Sequence, residues 1–99
     1  MAQFLVKDVA SVLGRTIVDG YVEDGVLKSR MKTKLDDRIL EIVGMEVKGQ
    51  EAKEAQKGQM ATIVLKMTTG NFGEGITEGN TKMEFDLVSR FKKKKIEFE

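Results

Sequence analysis

Apolar and polar residues alternate along most of this chain with the two-residue period of strands, not the period of about 3.6 that marks helices. Order is first visible over Phe4 to Val12, a Val-rich stretch. Ile17, Val18, Tyr21 and Val22 form a second β-prone run. Gly20 inside it predicts a bulge or a close backbone approach. Asp24-Gly25 reads as a turn, because Gly accepts positive φ without steric cost. Met31 to Leu35 alternates cleanly, Asp36-Asp37 marks a tight turn, and Arg38 to Lys48 reads as a long strand with Gly44 at a bend. Gly49 to Gly58 is polar, and the spacing of Ala52 and Ala55 fits one or two helical turns or a loop equally well. Gln59 to Met67 is the strongest strand, its continuous apolar stretch predicting burial on nearly both faces. Thr68 to Gly75 holds three glycines and reads as loop, and Ile76 to Asn80 as a turn. Thr81 to Leu87 alternates strictly and is the last predicted strand. Residues 90–99 fit no single element.

Six short strands, separated by turns every 8–12 residues or so, predict an all-β fold, a small barrel or sandwich. The glycines inside two long strands favour the barrel, where corners need them. No block repeats at a fixed period. The length of 99 residues holds one domain. Area scaling leaves roughly 5,600 Å² exposed after folding, against roughly 16,000 Å² before, enough burial for one unstapled core.

Composition narrows the chemistry. There is no Cys, His, Pro or Trp. That excludes a disulfide scaffold and thiol catalysis, and removes the usual general base and the commonest transition-metal ligand. No nucleophile–base pair stands out among the remaining residues, so no catalytic residue, metal or cofactor is expected and the chain reads as a non-enzyme. Asp36-Asp37 and Glu23-Asp24 read as turn chemistry, short of the six to eight oxygens or so that Ca²⁺ takes. The 17 Lys and Arg against 16 Asp and Glu give a net charge of +1, balanced between the two halves. No apolar run approaches the roughly 20 residues of a membrane span. Met1 to Lys7 lacks the layout of a secretory signal, so a cytoplasmic location is expected. A charged fraction of 33% without Cys leans towards a thermophile.

Three segments, taken in order, resemble a known family. Gly14-Arg15-Thr16-Ile17-Val18-Asp19-Gly20-Tyr21-Val22-Glu23-Asp24-Gly25-Val26-Leu27-Lys28 is similar to the start of the second domain of translation GTPases, which include elongation factor Tu and the initiation factors. Glu54-Ala55-Gln56-Lys57-Gly58-Gln59 resembles the family's step before its long buried strand. Ile76-Thr77-Glu78-Gly79-Asn80 resembles the segment before its final strand. The resemblance covers residues 4–88 and implies a six-stranded Greek-key β-barrel there, followed by a basic and apolar tail over 89–99. It further implies a stand-alone binding module that contacts ribosomal or other structured RNA, or a translation-related protein. No Gly-x-x-x-x-Gly-Lys-Ser/Thr occurs, so no nucleotide site is expected. Gly70 to Gly75, with no Lys-Ser/Thr after it, reads as a connection. Departures are local. Where elongation factor Tu has an acidic pair and an aromatic in its aminoacyl pocket, this chain has Lys7, Asp8 and Ala10. A polar pocket residue is matched by Met60, and a turn glycine by Arg30. These changes weigh against binding of an aminoacyl-tRNA end.

The candidate RNA contacts are Arg15, Lys28, Arg30, Lys32 and Lys34, with Arg90, Lys92, Lys93, Lys94 and Lys95 in the tail. Lys28 to Lys34 alternate as if along one strand, which would place four cations on one face with no acid between them. The plain alternative is a solvated face that discourages edge pairing, with Glu97 and Glu99 partly cancelling the tail. Phe72, Phe91, Ile96 and Phe98 are the candidate partner-binding residues. The last three could equally dock on the barrel or add a strand. Phe4 and Phe85 read as core, and Tyr21 as a half-polar residue beside a turn. A protein-interaction or oligomerisation module, acting through edge strands and the tail, is the second functional reading.

Overall fold

The computed structural model describes residues 1–68 and 78–99 and, in the helix that opens at Glu78, the side chains from Met83 onward. The main strands are β1 (Ala2–Val12), β2 (Arg15–Asp24), β4 (Lys32–Leu35), β5 (Arg38–Val47), β8 (Met60–Met67) and β9 (Lys95–Phe98). They hydrogen-bond in the order β4-β5-β8-β2-β1-β9, every neighbour antiparallel. The ring is closed by two reciprocal bonds: Lys32 N–H donates to the Glu99 carbonyl at 2.9 Å and Glu99 N–H to the Lys32 carbonyl at 2.8 Å. Such an exchange is the hydrogen-bonded pair of an antiparallel ladder. Three short strands decorate the ring. β6 (Gln50–Glu51) pairs antiparallel with the end of β5, while β3 (Leu27–Lys28) pairs with β7 (Glu54–Ala55) in a separate two-stranded ladder. The steps from β2 to β4 and from β8 to β9 join strands that are not neighbours, which makes the path a Greek key.

Alternation explains the core. Phe4, Val6, Val18, Val22, Leu40, Ile42, Ile63 and Leu65 all point inward and are fully buried or nearly so. Phe4 and Phe98 meet edge-on at a centroid distance of 6.3 Å, a favourable aromatic geometry. Gly20 lies where its strand is squeezed. A Cβ there would collide with the Leu5 carbonyl oxygen and the Phe4 ring, and the adjacent register shift bulges β1 at Lys7. A second bulge places Val43 between Ile42 and Gly44. Three two-residue turns, Leu13-Gly14, Asp36-Asp37 and Lys48-Gly49, have positive φ at both positions. That is the mirror-image turn whose twist matches a hairpin.

Four expectations need correction. Thr81 to Leu87 is not a strand; it lies within α1 (Glu78–Ser89), which also takes up Glu78, Gly79 and Asn80 of the expected turn. Glu84, Leu87 and Val88 are buried and Phe91 is half-buried, the spacing of one helical face. The sixth place in the ring is filled by β9, from within 89–99. Residues 49–58 carry short ladders and no helical turn. β8 buries one face, because each of its neighbours is a wall strand: Ala61, Ile63, Leu65 and Met67 are inside, and Met60 is 53% exposed.

Candidate nucleic-acid interface

Lys28, Arg30, Lys32 and Lys34 are all exposed, but they do not share a strand. Lys28 pairs with Glu54 in the side ladder, and the chain then turns through Arg30 at φ 79 before entering β4. The expectation of an acid-free face fails for a second reason, because Glu41 enters from the neighbouring strand. It stands opposite Lys32, and its Oε2 lies 3.3 Å from Arg30 Nη1.

The strand register assembles a different set. In antiparallel ladders, directly paired residues point to the same side. On the outer wall, Arg15 stands beside Lys66, Lys66 opposite Glu41, and Glu41 opposite Lys32, with Val12 at the far end opposite Arg15. This is the cationic row. Lys66 was missed by the sequence reading, although its outward parity within Gln59 to Met67 was visible; what was hidden was which strands flank it. The next row on the same wall is apolar: Ala10, Ile17, Val64 and Gly44, widened by Val43, which is 39% exposed. The third row is acidic: Asp8, Asp19, Thr62 and Glu46, continued by Glu51. Thr62 Oγ1 donates to Asp19 Oδ1 at 2.6 Å. The Val9 N–H, reinforced by the Lys92 ammonium, holds the Asp8 carboxyl below its ordinary pKa.

Two clefts open on this wall. One, of about 450 Å³, runs beside the cationic row between Gly14, Arg15, Val43, Val64, Lys66 and Glu84. Glu84 is buried there, accepting from Thr16 Oγ1 at 3.3 Å and from the Met67 N–H at 2.6 Å. The other, of about 330 Å³, brings Lys7, Asp8 and Met60 together with Asp19, Glu46 and Lys48. Lys7, Asp8 and Met60 are positions that the family resemblance matched to one pocket. Ala10 belongs to the apolar row instead.

The tail cations do not act as one cluster. Arg90 reaches Asp36 at 3.0 Å, Lys92 reaches Asp8 at 3.3 Å and Lys95 reaches Glu23 at 3.2 Å. Lys93 and Lys94 form the turn into β9 and make no ion pair among the described residues. Ile96 and Phe98 are corrected as partner-binding residues: both are buried in the core, where β9 packs them. Phe91 is half-buried against that core. Phe72 lies outside the described residues. Tyr21 is half-buried, and its hydrogen bond to the Glu23 carboxylate raises its pKa. Among the described residues, no helix is long and apolar enough to cross a membrane.

No family model matches the chain, and no curated protein matches it. Among solved structures it is similar to the bacterial selenocysteine-specific elongation factor EF-Sec, with a TM-score of 0.60 and 21% identity. The match covers 69% of this chain and 12% of that one. The shared feature is the fold: a nearly closed antiparallel β-barrel of the kind found in that translation elongation factor.

Proposed function

We propose that this barrel is a non-enzymatic, translation-related binding module that holds structured RNA, ribosomal RNA being the expected form, by its phosphate backbone. The observation that carries this reading is the cationic row. Arg15, Lys66 and Lys32 stand on three strands of one wall, across roughly 14 Å at ordinary strand spacing. Arg30 joins them at Glu41, and Lys34 follows Lys32 on β4. No aromatic side chain belongs to this row, so contact falls on phosphates and reads little sequence. The acidic row, beyond the apolar one, repels a backbone and confines it to the end of the strands that carries Arg15, Lys66 and Lys32. Arg90, Lys92 and Lys95 sit in exposed ion pairs worth about 0–1 kcal/mol each, so exchanging a carboxylate for a phosphate costs little. The fold likeness to an elongation factor supports the translation setting, and with it a cytoplasmic location.

The second reading, through edge strands and tail, gains no support from β9. Both sides of β9 are engaged, by β1 and by the Lys32–Glu99 pair, and Ile96 and Phe98 are inside.

The test is RNA affinity as a function of salt. With four cations engaged, log affinity falls against log salt with a slope of about −3. Replacing Arg30 and Lys32 with Glu weakens binding across unrelated RNA sequences alike and flattens that slope. Unchanged affinity in this variant, or binding indifferent to salt, overturns the reading.

A further inference from the structure

Two stretches of the chain carry nearly the same five residues. Lys82-Met83-Glu84-Phe85-Asp86 and Lys95-Ile96-Glu97-Phe98-Glu99 match position by position: a lysine, a large apolar side chain, a glutamate, a phenylalanine and a second carboxylate. Each has the two-residue period of a strand with one apolar face. The second copy forms β9 and the seam with β4, whereas the first lies in α1.

The helix suits the first copy poorly. Met83 is 43% exposed while Glu84 is buried, the reverse of what each side chain favours. Gly79, Asn80 and Thr81 are weak helix formers, and no basic residue stands in the last turn to meet the helix dipole. The place in the ring is also lightly held. β9 is four residues long, and among the described residues its side of the seam is bonded to β4 through the Lys32–Glu99 pair alone.

Laid into that place, the first copy repeats the contacts of the second by type. Met83 takes the position of Ile96 opposite Phe4, and Phe85 that of Phe98 opposite Ala2. Asp86 comes to the seam with Lys32, and Lys82 to the place from which Lys95 reaches Glu23 at 3.2 Å. Glu84 turns out to solvent, as Glu97 is now. Such a swap nearly conserves apolar volume, the kind of change a core tolerates best. Residues 69–81 can extend to roughly 40 Å, enough to cross a molecule whose longest extent is 37 Å.

We propose that the two copies compete for the sixth place in the ring. In a minor form α1 unwinds, residues 82–86 pair with β1 and β4, and residues 90–99 are released. Burial of Leu87 and Val88 and the two hydrogen bonds of Glu84 keep the described form in the majority, because exchange gives up both. Exchange also breaks the ion pairs of Arg90, Lys92 and Lys95. A polyanion that binds the released cations therefore draws the population towards the exchanged form. The exchange itself does not rest on the RNA reading.

The chain has no cysteine, so an introduced disulfide can report which copy is in place. Leu5 is paired with Lys95 in the described form and with Lys82 in the exchanged one. Glu84, two residues from Lys82, is held at Thr16, whose partner on β1 is Ser11. Ser11 lies roughly 20 Å along the strand from Leu5, and a disulfide needs Cα atoms within about 7 Å, so a link between positions 5 and 82 belongs to the exchanged form. Leu5→Cys with Lys82→Cys is oxidised under native conditions, alone and combined with Ile96→Glu and Phe98→Glu, which put charge on the inner face of β9. Peptide mass spectrometry maps the link, while far-UV circular dichroism and urea titration follow the fold. The link should form within one chain, and about tenfold faster or more with the charged tail. That variant should still unfold cooperatively, with less helical signal, and should stay folded once linked. Adding Phe85→Glu to it spoils both copies and should abolish folding. A charged-tail chain that does not fold overturns the proposal, because nothing then replaces β9. So does a charged-tail chain that links no faster, loses its cooperative transition on linking, links only to a second molecule, or folds in spite of Phe85→Glu.

Discussion

The two sides of β2 and β8 follow opposite rules. Facing inward, Thr16, Val18, Val22, Ala61, Ile63 and Leu65 are all buried, and the one hydroxyl among them is satisfied by Glu84. Facing outward, the same strands carry charge and partly exposed apolar groups in rows, held by register and little else. Burial of apolar surface is the dominant favourable term in folding, so the inner side carries the stability. The outer side contributes little to that stability, and it is the proposed binding that depends on its ordering.

That contrast can be broken first at Phe98. Phe98→Ala removes the edge-on partner of Phe4 and should cost about 3–5 kcal/mol in a urea titration. Next comes the polar exception inside. Glu84→Ala orphans the Met67 N–H and the Thr16 hydroxyl, for about 1–3 kcal/mol, whereas Glu84→Gln keeps an acceptor and should lose less. A smaller change of opposite sign is expected at Leu13, which is 95% exposed at φ 52 in a turn whose first position suits Asn. Leu13→Asn should raise stability by about 1 kcal/mol. On the outer wall, Lys66→Ala should move stability by no more than about 0.5 kcal/mol, while the proposed RNA binding weakens. The smallest effect is at Tyr21. Its folded pKa is raised by Glu23, so this contribution is complete below the unfolded pKa and is lost as pH rises through the folded one. Spectrophotometric titration of this single tyrosine should give a midpoint above the ordinary value, and Glu23→Gln should bring it down.

Much of the inner side was legible in the sequence. Alternation and β-prone runs located β1, β2, β4 and β5, a continuous apolar stretch located β8, and Gly20 announced the close approach it makes. The misreading of residues 81–99 has one cause, that a short window carries two periods. Met83, Phe85 and Leu87 alternate, yet Glu84, Leu87, Val88 and Phe91 repeat with the helical period, and adjacent burial at Leu87 and Val88 decides for the helix. Lys95 to Phe98 alternates over a shorter stretch, and there alternation holds because the gap between β1 and β4 has room for one strand. The candidate site was less legible. Each cation's parity was readable, but neighbourhood across the sheet is set by register, which pairs residues far apart in the chain. Lys66 entered the cationic row and Lys28 left it for that reason. Arg30 broke the apparent strand by adopting a left-handed backbone that nothing in its side chain advertises.

The closing of the ring bears on how quickly the barrel forms. Ala2 pairs with Phe98, and Lys32 exchanges hydrogen bonds with Glu99. The β1–β2 and β4–β5 hairpins join strands through two-residue turns and can form early. The seam must bring together positions separated by nearly the whole described chain, and long-range closure of that kind slows folding. Before it closes, β1 and β4 each present an open edge able to pair with another chain. Aggregation during refolding should therefore depend on the strand that carries Ile96 and Phe98.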